Sequence, residues 1–282
     1  MGTQCLCCGG KEYKLFCDGI IQCKDCNYAT VNGSYSDEEL GGLYQQNYFR
    51  GGEYRNYIES EALYRRNFRN RVVEMRRFLP DGSRIWEIGC AYGYFLREAN
   101  KYYDTEGIDI TEEGVQYAKD AGLKARCDDF LKFPVRKAYD AVCLWDTLEH
   151  LRNPMEFISK AHSILRPNGM LFITTGDVGA LVPRIQKGRW RLIHPPTHLH
   201  YFSRPGIRTL LSGIGFEIIK IKSVSFWHNI ENICHGLEQF GGYTGVRNMS
   251  KVMHRILPKW IREIYFPVNL GDIMLVVARK MS

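Results

Sequence analysis

The sequence predicts an α/β fold with a mostly parallel, seven-stranded sheet, preceded by a small cysteine-rich module. Two observations support this. From residue 84 onward, short apolar runs alternate with helical patterns, and six of the ten cysteines fall within the first 26 residues. Strands separated by helices are typical of a parallel sheet covered on both faces. Clustered cysteines indicate a local metal site, because a disulfide scaffold would spread its bridges through a small secreted chain.

Length and composition narrow the class of protein. The 282 residues are 45% hydrophobic, which predicts about two domains and a sizeable core. No apolar run approaches the roughly 20 residues of a membrane-spanning helix. No signal-peptide pattern is seen at the N-terminus, so we predict a cytoplasmic protein with reduced thiols. The net charge of +7 is consistent with an anionic substrate. It is equally consistent with a surface charge that serves only to keep the protein in solution.

Residues 1–35 are predicted to form a module similar to a zinc ribbon. Two Cys-x-x-Cys pairs, 14 residues apart, have the spacing of a tetrahedral four-thiolate zinc site. The residues that follow the pairs, Gly9 and Asn27, tolerate the left-handed backbone that lets amides face the thiolates. That register selects Cys5, Cys8, Cys23 and Cys26 as ligands and leaves Cys7 and Cys17 outside the site. A metal-free hairpin is the alternative.

Residues 36–80 are predicted to form a helical linker or lid. Ser36 and Glu39 have capping-box spacing before a first helix. A second, long helix has one face made of Tyr57, Glu61, Tyr64, Phe68, Val72, Met75 and Leu79, and we expect Pro80 to stop it. Its arginines are expected to form a solvated flank, with contact to nucleic-acid phosphates as the alternative.

Residues 81–282 are predicted to form the catalytic domain. The seven predicted strands are 84–88, 105–110, 123–127, 139–145, 169–175, 216–224 and 272–280, and helical patterns cover 93–102, 112–122, 153–165 and 203–215. Asn153 is expected to cap the third of these helices, with Pro154 at its first position. Residues 225–270 are predicted to be an insertion, either a substrate lid or an oligomer element.

The turn after the first strand of this domain is predicted to approach a ligand closely. It reads Glu-Ile-Gly-Cys-Ala-Tyr-Gly over residues 87–93, and its small residues let the backbone approach a bound molecule. Asp109 ends the next strand, where an acid can accept hydrogen bonds from two ribose hydroxyls. Asp129 and Phe130 follow the third strand, where they can contact an adenine. The Gly-x-x-x-Gly spacing argues against a dinucleotide, whose pyrophosphate needs a three-glycine turn.

These motifs, followed by YDAVCLWDTLEHL and LRPNGML, resemble the motif series of class I S-adenosylmethionine-dependent methyltransferases, which have a Rossmann-like fold. The resemblance covers residues 84–225 and the closing strand, with Ala91 where the family often has glycine. It implies S-adenosylmethionine as cofactor, with Asp109 at the ribose. On the same basis Glu87, Gly89, Ala91 and Gly93 would hold the methionine end, Asp129 and Phe130 the adenine, and Ile110 and Trp145 would border the cofactor.

Asp146, Glu149 and His150 follow the fourth strand as Asp-x-x-Glu-His and would share a face of a helical turn. Similar clusters bind a divalent cation in ubiquinone-type O-methyltransferases and in small-RNA methyltransferases. We therefore expect a candidate second metal site at these three residues. The alternative is that Glu149 and His150 shape the wall of the site without a metal.

Residues 189–203 contain a second group of polar side chains, after the fifth strand. His198 and His200, together with His150, are candidate general bases, because neutral imidazole is basic near pH 7. The ring of Tyr201 or Trp145 could stabilise the cationic methyl group. A structural role for these histidines, in capping and packing the next turn, is the alternative.

The predicted function is methyl transfer to a small molecule. The N-terminal module resembles that of methyltransferases in sugar and polysaccharide biosynthesis, which implies a sugar, nucleotide-sugar or lipid-linked glycan precursor as acceptor. An RNA methyltransferase or RNA-associated protein and a quinone-type O-methyltransferase are the alternatives. A nucleic-acid partner is disfavoured, because no dense basic stripe interleaved with aromatics is seen. Residues 251–266 are a candidate for peripheral membrane contact or a homodimer element.

Overall fold

The structure, a computed structural model, describes residues 4–33, 35, 36, 39, 60–135, 138–230, 255–262 and 264–281. The chain divides into two compact units, one made of Met1–Val224 with Gly271–Ser282 and the other of Ser225–Leu270. The predicted capping box is confirmed, because the Glu39 amide donates to Ser36 Oγ and the Ser36 amide donates to Glu39 Oε2. The helix predicted to follow it lies outside the described residues.

In the described part of the chain, seven strands form the central sheet, as predicted. In the order β10-β13-β8-β7-β4-β5-β6, they are Phe216–Ser223, Ile273–Lys280, Leu165–Gly176, Tyr139–Trp145, Arg84–Ile88, Asp104–Asp109 and Ala125–Cys127. The five strands from β8 to β6 pair in parallel, whereas β13 pairs antiparallel with both β8 and β10. The carboxyl ends of β4, β5 and β7 therefore meet at one edge of the sheet, where ligands bind in such folds.

Helices precede or connect these strands. They are α1 Glu61–Met75, α2 Tyr94–Ala99, α3 Glu112–Asp120, α4 Pro154–Ile164, α5 Leu181–Gln186 and α6 Arg204–Ile214. Helices α2, α3, α4 and α6 lie close to their predicted positions, whereas α5 was not predicted. Asn153 occupies the N-cap position of α4, with Pro154 at the start of the helix, although its side chain makes no capping bond. Ser203 does cap α6, because its Oγ accepts a hydrogen bond from the Gly206 amide.

In helix α1 the predicted apolar face is largely buried and most of the arginine flank is solvated, but Arg71 is an exception. The helix ends at Met75, before Pro80, and its buried side chains include Arg71 and Glu74. The apolar periodicity of the helix does not predict that these two side chains are buried, because the charged groups near them lie far away in the sequence. Lys220 and Lys222 of β10 donate to the two carboxylate oxygens of Glu74 at 2.9 and 2.8 Å.

Glu98 anchors α1 to α2 and gives the fold a pH dependence. Burial raises its pKa, but hydrogen bonds from Lys101, Arg69 and Arg65 outweigh burial and lower the pKa to about 2. A depressed carboxyl pKa stabilises the fold above the ordinary value near 4.5, and this contribution is lost as the pH falls towards 2.

We expect Glu98→Gln to lower the free energy of unfolding by about 2 kcal/mol at pH 7, discounted for the exposed partners Arg69 and Lys101. Urea titrations at pH 7 and pH 3 measure it, and the difference between variant and parent should shrink at pH 3. Glu217→Gln, which removes an exposed partner of Arg279, serves as the control. A pH-independent loss would contradict this account.

The N-terminal cysteine-rich segment forms a small antiparallel sheet, which we call the ribbon. Its strands are β1 Tyr13–Cys17, β2 Ile20–Cys23 and β3 Ala29–Val31. The two-residue strand β9, His200–Tyr201, pairs antiparallel with β3 as the fourth strand of this sheet. The sequence alone does not predict this pairing, because two residues are too few to show a strand periodicity.

The second unit contains a hairpin of β11 Phe226–Asn229 and β12 Tyr265–Val268, and a short helix, α7 Lys259–Arg262. Ile256, Trp260 and Ile264 are exposed. Residues 251–254 and 263, part of the predicted membrane or dimer element, lie outside the described residues. Within the described ranges, every helix is too short or too polar to cross a bilayer.

Candidate active site

The turn after β4, residues 89–93, which we call the glycine turn, has the conformation that its small residues predict. Gly89, Ala91 and Gly93 all have positive φ angles, of 79°, 43° and 72°. A Cβ atom on Gly89 would lie 2.7 Å from the side chain of Thr147, at the carboxyl end of β7. The glycine turn and the end of β7 are therefore in close contact, and a larger residue at 89 would force them apart.

Asp109 lies at the end of β5 beside the glycine turn. Its Oδ2 accepts a hydrogen bond from the Ala91 amide at 2.8 Å, and its Oδ1 accepts from the Thr111 amide and hydroxyl at 2.9 and 2.6 Å. These bonds fix the orientation of the carboxylate beside the glycine turn. The next side chain, Ile110, is exposed and can cover an apolar part of a bound nucleoside.

Glu87 is fully enclosed below the glycine turn. Burial, reinforced by Asp109, raises the pKa of its carboxyl well above the usual range. Its Oε2 is buried and has no hydrogen-bond partner among the described residues. A buried polar atom without a partner is costly, so this oxygen is suited to a donor supplied by a ligand, such as an ammonium group.

The two residues predicted to contact adenine differ in their surroundings. Asp129 is at the surface, where its Oδ1 accepts a hydrogen bond from the Leu131 amide at 2.9 Å. The Phe130 ring lies in the core, with its centroid 5.7 Å from that of Phe157. Trp145 is also buried, 5.2 Å from the Phe95 ring, and its Nε1 has no partner within the described ranges.

Asp146 follows β7 in a strained conformation that no sequence pattern indicated. Its φ is 50°, a value that costs free energy for a residue other than glycine. The amide is held by the carbonyl and the hydroxyl of Thr174, at 3.0 and 3.1 Å. Burial raises the pKa of the Asp146 carboxyl, while the charge of Arg71 opposes this.

The predicted metal site needs a correction. Glu149 and His150 lie together in the turn Leu148–His150, but the third side chain beside them is His198, not Asp146. Their ligand atoms all lie within 4.8 Å of one another, and we call these three residues the histidine cluster. The left-handed backbone at Asp146 breaks the helical spacing that would have placed its side chain on the same face.

Backbone carbonyls orient the two imidazoles of the histidine cluster. His150 Nδ1 lies 2.9 Å from the Thr197 carbonyl, and His198 Nδ1 lies 2.9 Å from the Leu192 carbonyl. Since a carbonyl only accepts, Nδ1 carries the proton in both rings, and each Nε2 carries the lone pair in the neutral form. Burial, with His150 and His194 nearby, lowers the pKa of His198 well below its usual value.

The other two catalytic candidates face the ribbon. His200 is buried, its Nδ1 contacts the hydroxyl of Tyr28, and burial lowers its pKa to about 4. Tyr201 is buried against Phe16, Ile20 and Trp190, and its hydroxyl donates to the His198 carbonyl at 3.1 Å. The structure thus brings His150 and His198 together, while His200 and Tyr201 contact the ribbon.

The four predicted zinc ligands converge within the ribbon. The Sγ atoms of Cys5 and Cys26 lie 3.5 Å apart and those of Cys8 and Cys23 lie 3.6 Å apart. A tetrahedral site with Zn–S bonds of about 2.3 Å has sulfur–sulfur edges of about 3.8 Å, close to these values. Positive φ angles at Gly9, 73°, and Asn27, 58°, confirm the predicted turns. The donor set therefore fits Zn²⁺.

Comparison with known proteins identifies the family. Residues 60–221 match the family model described as a methyltransferase domain. A malonyl-[acyl-carrier protein] O-methyltransferase of Halalkalibacterium halodurans is 23% identical over 243 residues, which cover 75% of this chain and 88% of that protein. A ubiquinone biosynthesis O-methyltransferase of Coxiella burnetii is 23% identical over 163 residues, covering 49% of this chain and 70% of the relative.

Solved structures support the same fold. An S-adenosylmethionine-dependent methyltransferase from Archaeoglobus fulgidus superposes with a TM-score of 0.55 at 19% identity, covering 80% of this chain and all of that chain (100%). Another from Thermotoga maritima gives a TM-score of 0.52 at 16% identity, covering 79% of this chain and 94% of the other.

Proposed function

Because this chain belongs to the class I S-adenosylmethionine-dependent methyltransferases, we propose that its acceptor is a small molecule held between the glycine turn and the histidine cluster. One observation carries the proposal. The glycine turn touches the end of β7 at Thr147, and the histidine cluster begins two residues later at Glu149. Methyl donor and acceptor would therefore be held side by side, as in-line transfer requires.

We propose that Asp109, Glu87 and the glycine turn hold S-adenosylmethionine. When bound, the cofactor supplies an activated sulfonium methyl group. Asp109 would accept hydrogen bonds from the ribose, since its carboxylate is already fixed by the Ala91 amide. Glu87 Oε2 is buried and has no hydrogen-bond partner among the described residues. This supports placing the methionine end of the cofactor at the glycine turn. Asp129, Phe130, Ile110 and Trp145 remain the proposed borders of the adenosine and the methyl group.

We propose oxygen as the methylated atom, in a hydroxyl group. The two sequence relatives described above are named as O-methyltransferases. The resemblance of the ribbon to that of sugar-modifying enzymes supports a sugar, nucleotide-sugar or lipid-linked glycan precursor. The ubiquinone relative supports a quinone-type ring as the second candidate. RNA is less favoured, because Arg65 and Arg69 of α1 are engaged by Glu98.

An unactivated hydroxyl needs a base, and His198 is the proposed one. Its Nδ1–H is held by the Leu192 carbonyl, so that Nε2 can accept the hydroxyl proton as the oxygen attacks. His150, whose Nδ1–H is held in the same way by the Thr197 carbonyl, would line the acceptor side next to it. His200 and Tyr201 would position this pair through the segment that carries His198.

Transfer of a labelled methyl group tests this function. The protein is incubated with S-adenosyl-[methyl-³H]methionine and, separately, with nucleotide-sugars, hydroxylated quinone precursors or ribosomal RNA. We expect label in a small-molecule fraction. Label found in RNA alone would overturn the small-molecule proposal, and label in the quinone fraction alone would replace the sugar assignment.

For the acceptor found in that assay, His198→Gln should lower kcat by about 10²- to 10⁴-fold, the usual contribution of a general base. Affinity for S-adenosylhomocysteine, the demethylated cofactor, should stay within about twofold, because Asp109 and the glycine turn are unchanged. His162→Gln is the matched control, since this histidine contacts Phe216 away from the site. An unchanged kcat in His198→Gln would remove His198 from catalysis.

The histidine cluster also suits a divalent cation, which is the second proposal for these residues. One carboxylate and two imidazoles are a ligand set used for Zn²⁺, Mn²⁺ or Fe²⁺. The hydroxyl of Thr175 donates to Glu149 Oε2 at 3.0 Å and would orient that ligand. Titration of the zinc-loaded protein with Mn²⁺ separates the alternatives. Uptake of one equivalent, lost in Glu149→Gln, supports a cation, and no uptake supports the metal-free base.

We propose that the ribbon binds one structural Zn²⁺ through Cys5, Cys8, Cys23 and Cys26. A four-thiolate zinc has no open coordination position, so it would not take part in methyl transfer. A cytoplasmic location, where these thiols stay reduced, is part of the same proposal.

A further inference from the structure

We infer that the ribbon is a positioning element for the acceptor side, and that Tyr28 is its positioning residue. Residues 197–203, which we call the acceptor segment, carry His198. The inference is that zinc binding in the ribbon sets the geometry of this segment, while the cofactor end is held separately. It rests on the zinc site and the acceptor side proposed above.

The first support is a row of hydrogen bonds between the ribbon edge and the acceptor segment. Ala29 pairs with Tyr201 and Thr30 with His200 in the antiparallel register of β3 and β9. The Leu199 carbonyl accepts from the Thr30 hydroxyl at 3.0 Å and from the Val31 amide at 3.3 Å. The acceptor segment therefore extends the ribbon's sheet as its edge strand.

The second support is the contact of Tyr28 with His200. Tyr28 lies two residues after the proposed ligand Cys26, and its hydroxyl contacts His200 Nδ1. Both side chains are buried, and the Tyr28 ring also lies 5.5 Å from the Phe202 ring. Because this contact is made inside the protein, Tyr28 fixes the orientation of the His200 ring.

The third support is a direct contact with the metal knuckle. The Ser203 hydroxyl donates to the carbonyl of Cys26, and the same oxygen caps α6 by accepting from the Gly206 amide. The backbone of one proposed zinc ligand is thus bonded to the residue that ends the acceptor segment. A shift of this knuckle would move Ser203 and the start of α6.

The acceptor segment transmits this placement to the histidine cluster. The Leu199 amide donates to the Glu149 carbonyl at 3.0 Å, and the Thr197 carbonyl holds His150 Nδ1. Two of the three residues of the cluster are therefore oriented by the acceptor segment, and the third belongs to it. Asp109, by contrast, is held by Ala91 and Thr111 of the cofactor end.

The variant Tyr28→Phe tests the inference without removing a zinc ligand. We expect unchanged zinc content and unchanged affinity for S-adenosylhomocysteine. Amides 199–203 should exchange hydrogen about fivefold to tenfold faster, as expected for loss of one hydrogen bond. In ¹⁵N-histidine spectra, the His200 Nδ1 resonance should shift. Tyr103→Phe, which removes a buried tyrosine hydroxyl elsewhere, should change neither readout. Unchanged exchange and an unchanged His200 resonance in Tyr28→Phe would overturn the inference.

Removal of zinc with a chelator is the second arm. We expect protection to fall in the ribbon and in residues 199–203, and to persist in the central strand Tyr139–Trp145 together with cofactor-product binding. Loss of protection confined to the ribbon, or spread through Tyr139–Trp145, would contradict the inference. A protein purified without zinc would instead refute the zinc proposal. Absent S-adenosylhomocysteine binding in the untreated protein would refute the cofactor site and leave the exchange result interpretable.

Discussion

Asp109→Ala is expected to weaken S-adenosylmethionine binding by about a hundredfold or more. A charge-assisted hydrogen bond is worth about 1.5–3 kcal/mol, and the proposed ribose site would lose two of them together. The variant also removes the acceptor of the Ala91 amide, so the glycine turn loses a bond that fixes its left-handed residue. Isothermal titration calorimetry with the cofactor and with S-adenosylhomocysteine measures the effect.

The control for this prediction is Asp120→Asn, at the exposed end of α3. Among the described residues, the Asp120 carboxylate accepts a side-chain hydrogen bond only from Gln116. This variant should bind both ligands within about twofold of the parent protein. Asp109→Asn should fall between the two, because the amide oxygen still accepts one hydrogen bond without the charge. Full cofactor affinity in Asp109→Ala would place the ribose elsewhere.

Cys26→Ser is expected to abolish zinc binding and to destabilise the protein by several kcal/mol. A structural zinc contributes on the order of 10 kcal/mol to folding, and a serine hydroxyl does not replace a thiolate. The loss is expected to extend beyond the ribbon, because a knuckle without metal would displace the Cys26 carbonyl that accepts from the Ser203 hydroxyl. We expect the melting temperature to fall by about 10 °C, measured by calorimetry alongside elemental analysis for zinc.

Two further cysteine variants make this test specific. Cys7→Ser and Cys17→Ser should keep one zinc per chain, since both thiols lie outside the group of four that converges. Because Cys7 is buried, Cys7→Ser should lower the stability of the protein without loss of zinc. This outcome would separate the effect of packing from that of metal coordination. Zinc retained in Cys26→Ser, or lost in Cys7→Ser, would show that the ligand register is wrong.

Local features of the sequence predicted most of the central fold. Strands such as Tyr139–Trp145 and Ile273–Lys280 are mainly apolar runs, and such runs can be recognised without knowledge of their partners. The turns at Gly9, Asn27 and Gly89 were also predictable, because the left-handed backbone limits the residue types that fit. Secondary structure is therefore predictable wherever the residues of a single segment determine it.

Features that depend on distant partners were missed. His198 lies beside Glu149 and His150 in space, in a segment that pairs with the ribbon. Arg71 is predicted to be solvated, because α1 alone does not show which charge lies near it. That charge is Asp146, which follows β7 far along the chain. Asp146 itself was assigned to a metal site on the assumption of helical spacing. Its positive φ, supported by Thr174, depends on packing that a one-dimensional pattern does not contain.

The shared sheet of β3 and β9 also bears on how this protein can change during evolution. Cys5, Cys7 and Tyr28 of the ribbon belong to the same buried cluster as Phe202 and Ile207 of the catalytic domain. A ribbon exchanged for one from another protein would have to bring side chains that fit this surface, as well as four cysteines. A substitution on one side of this surface is therefore expected to require a compensating substitution on the other side.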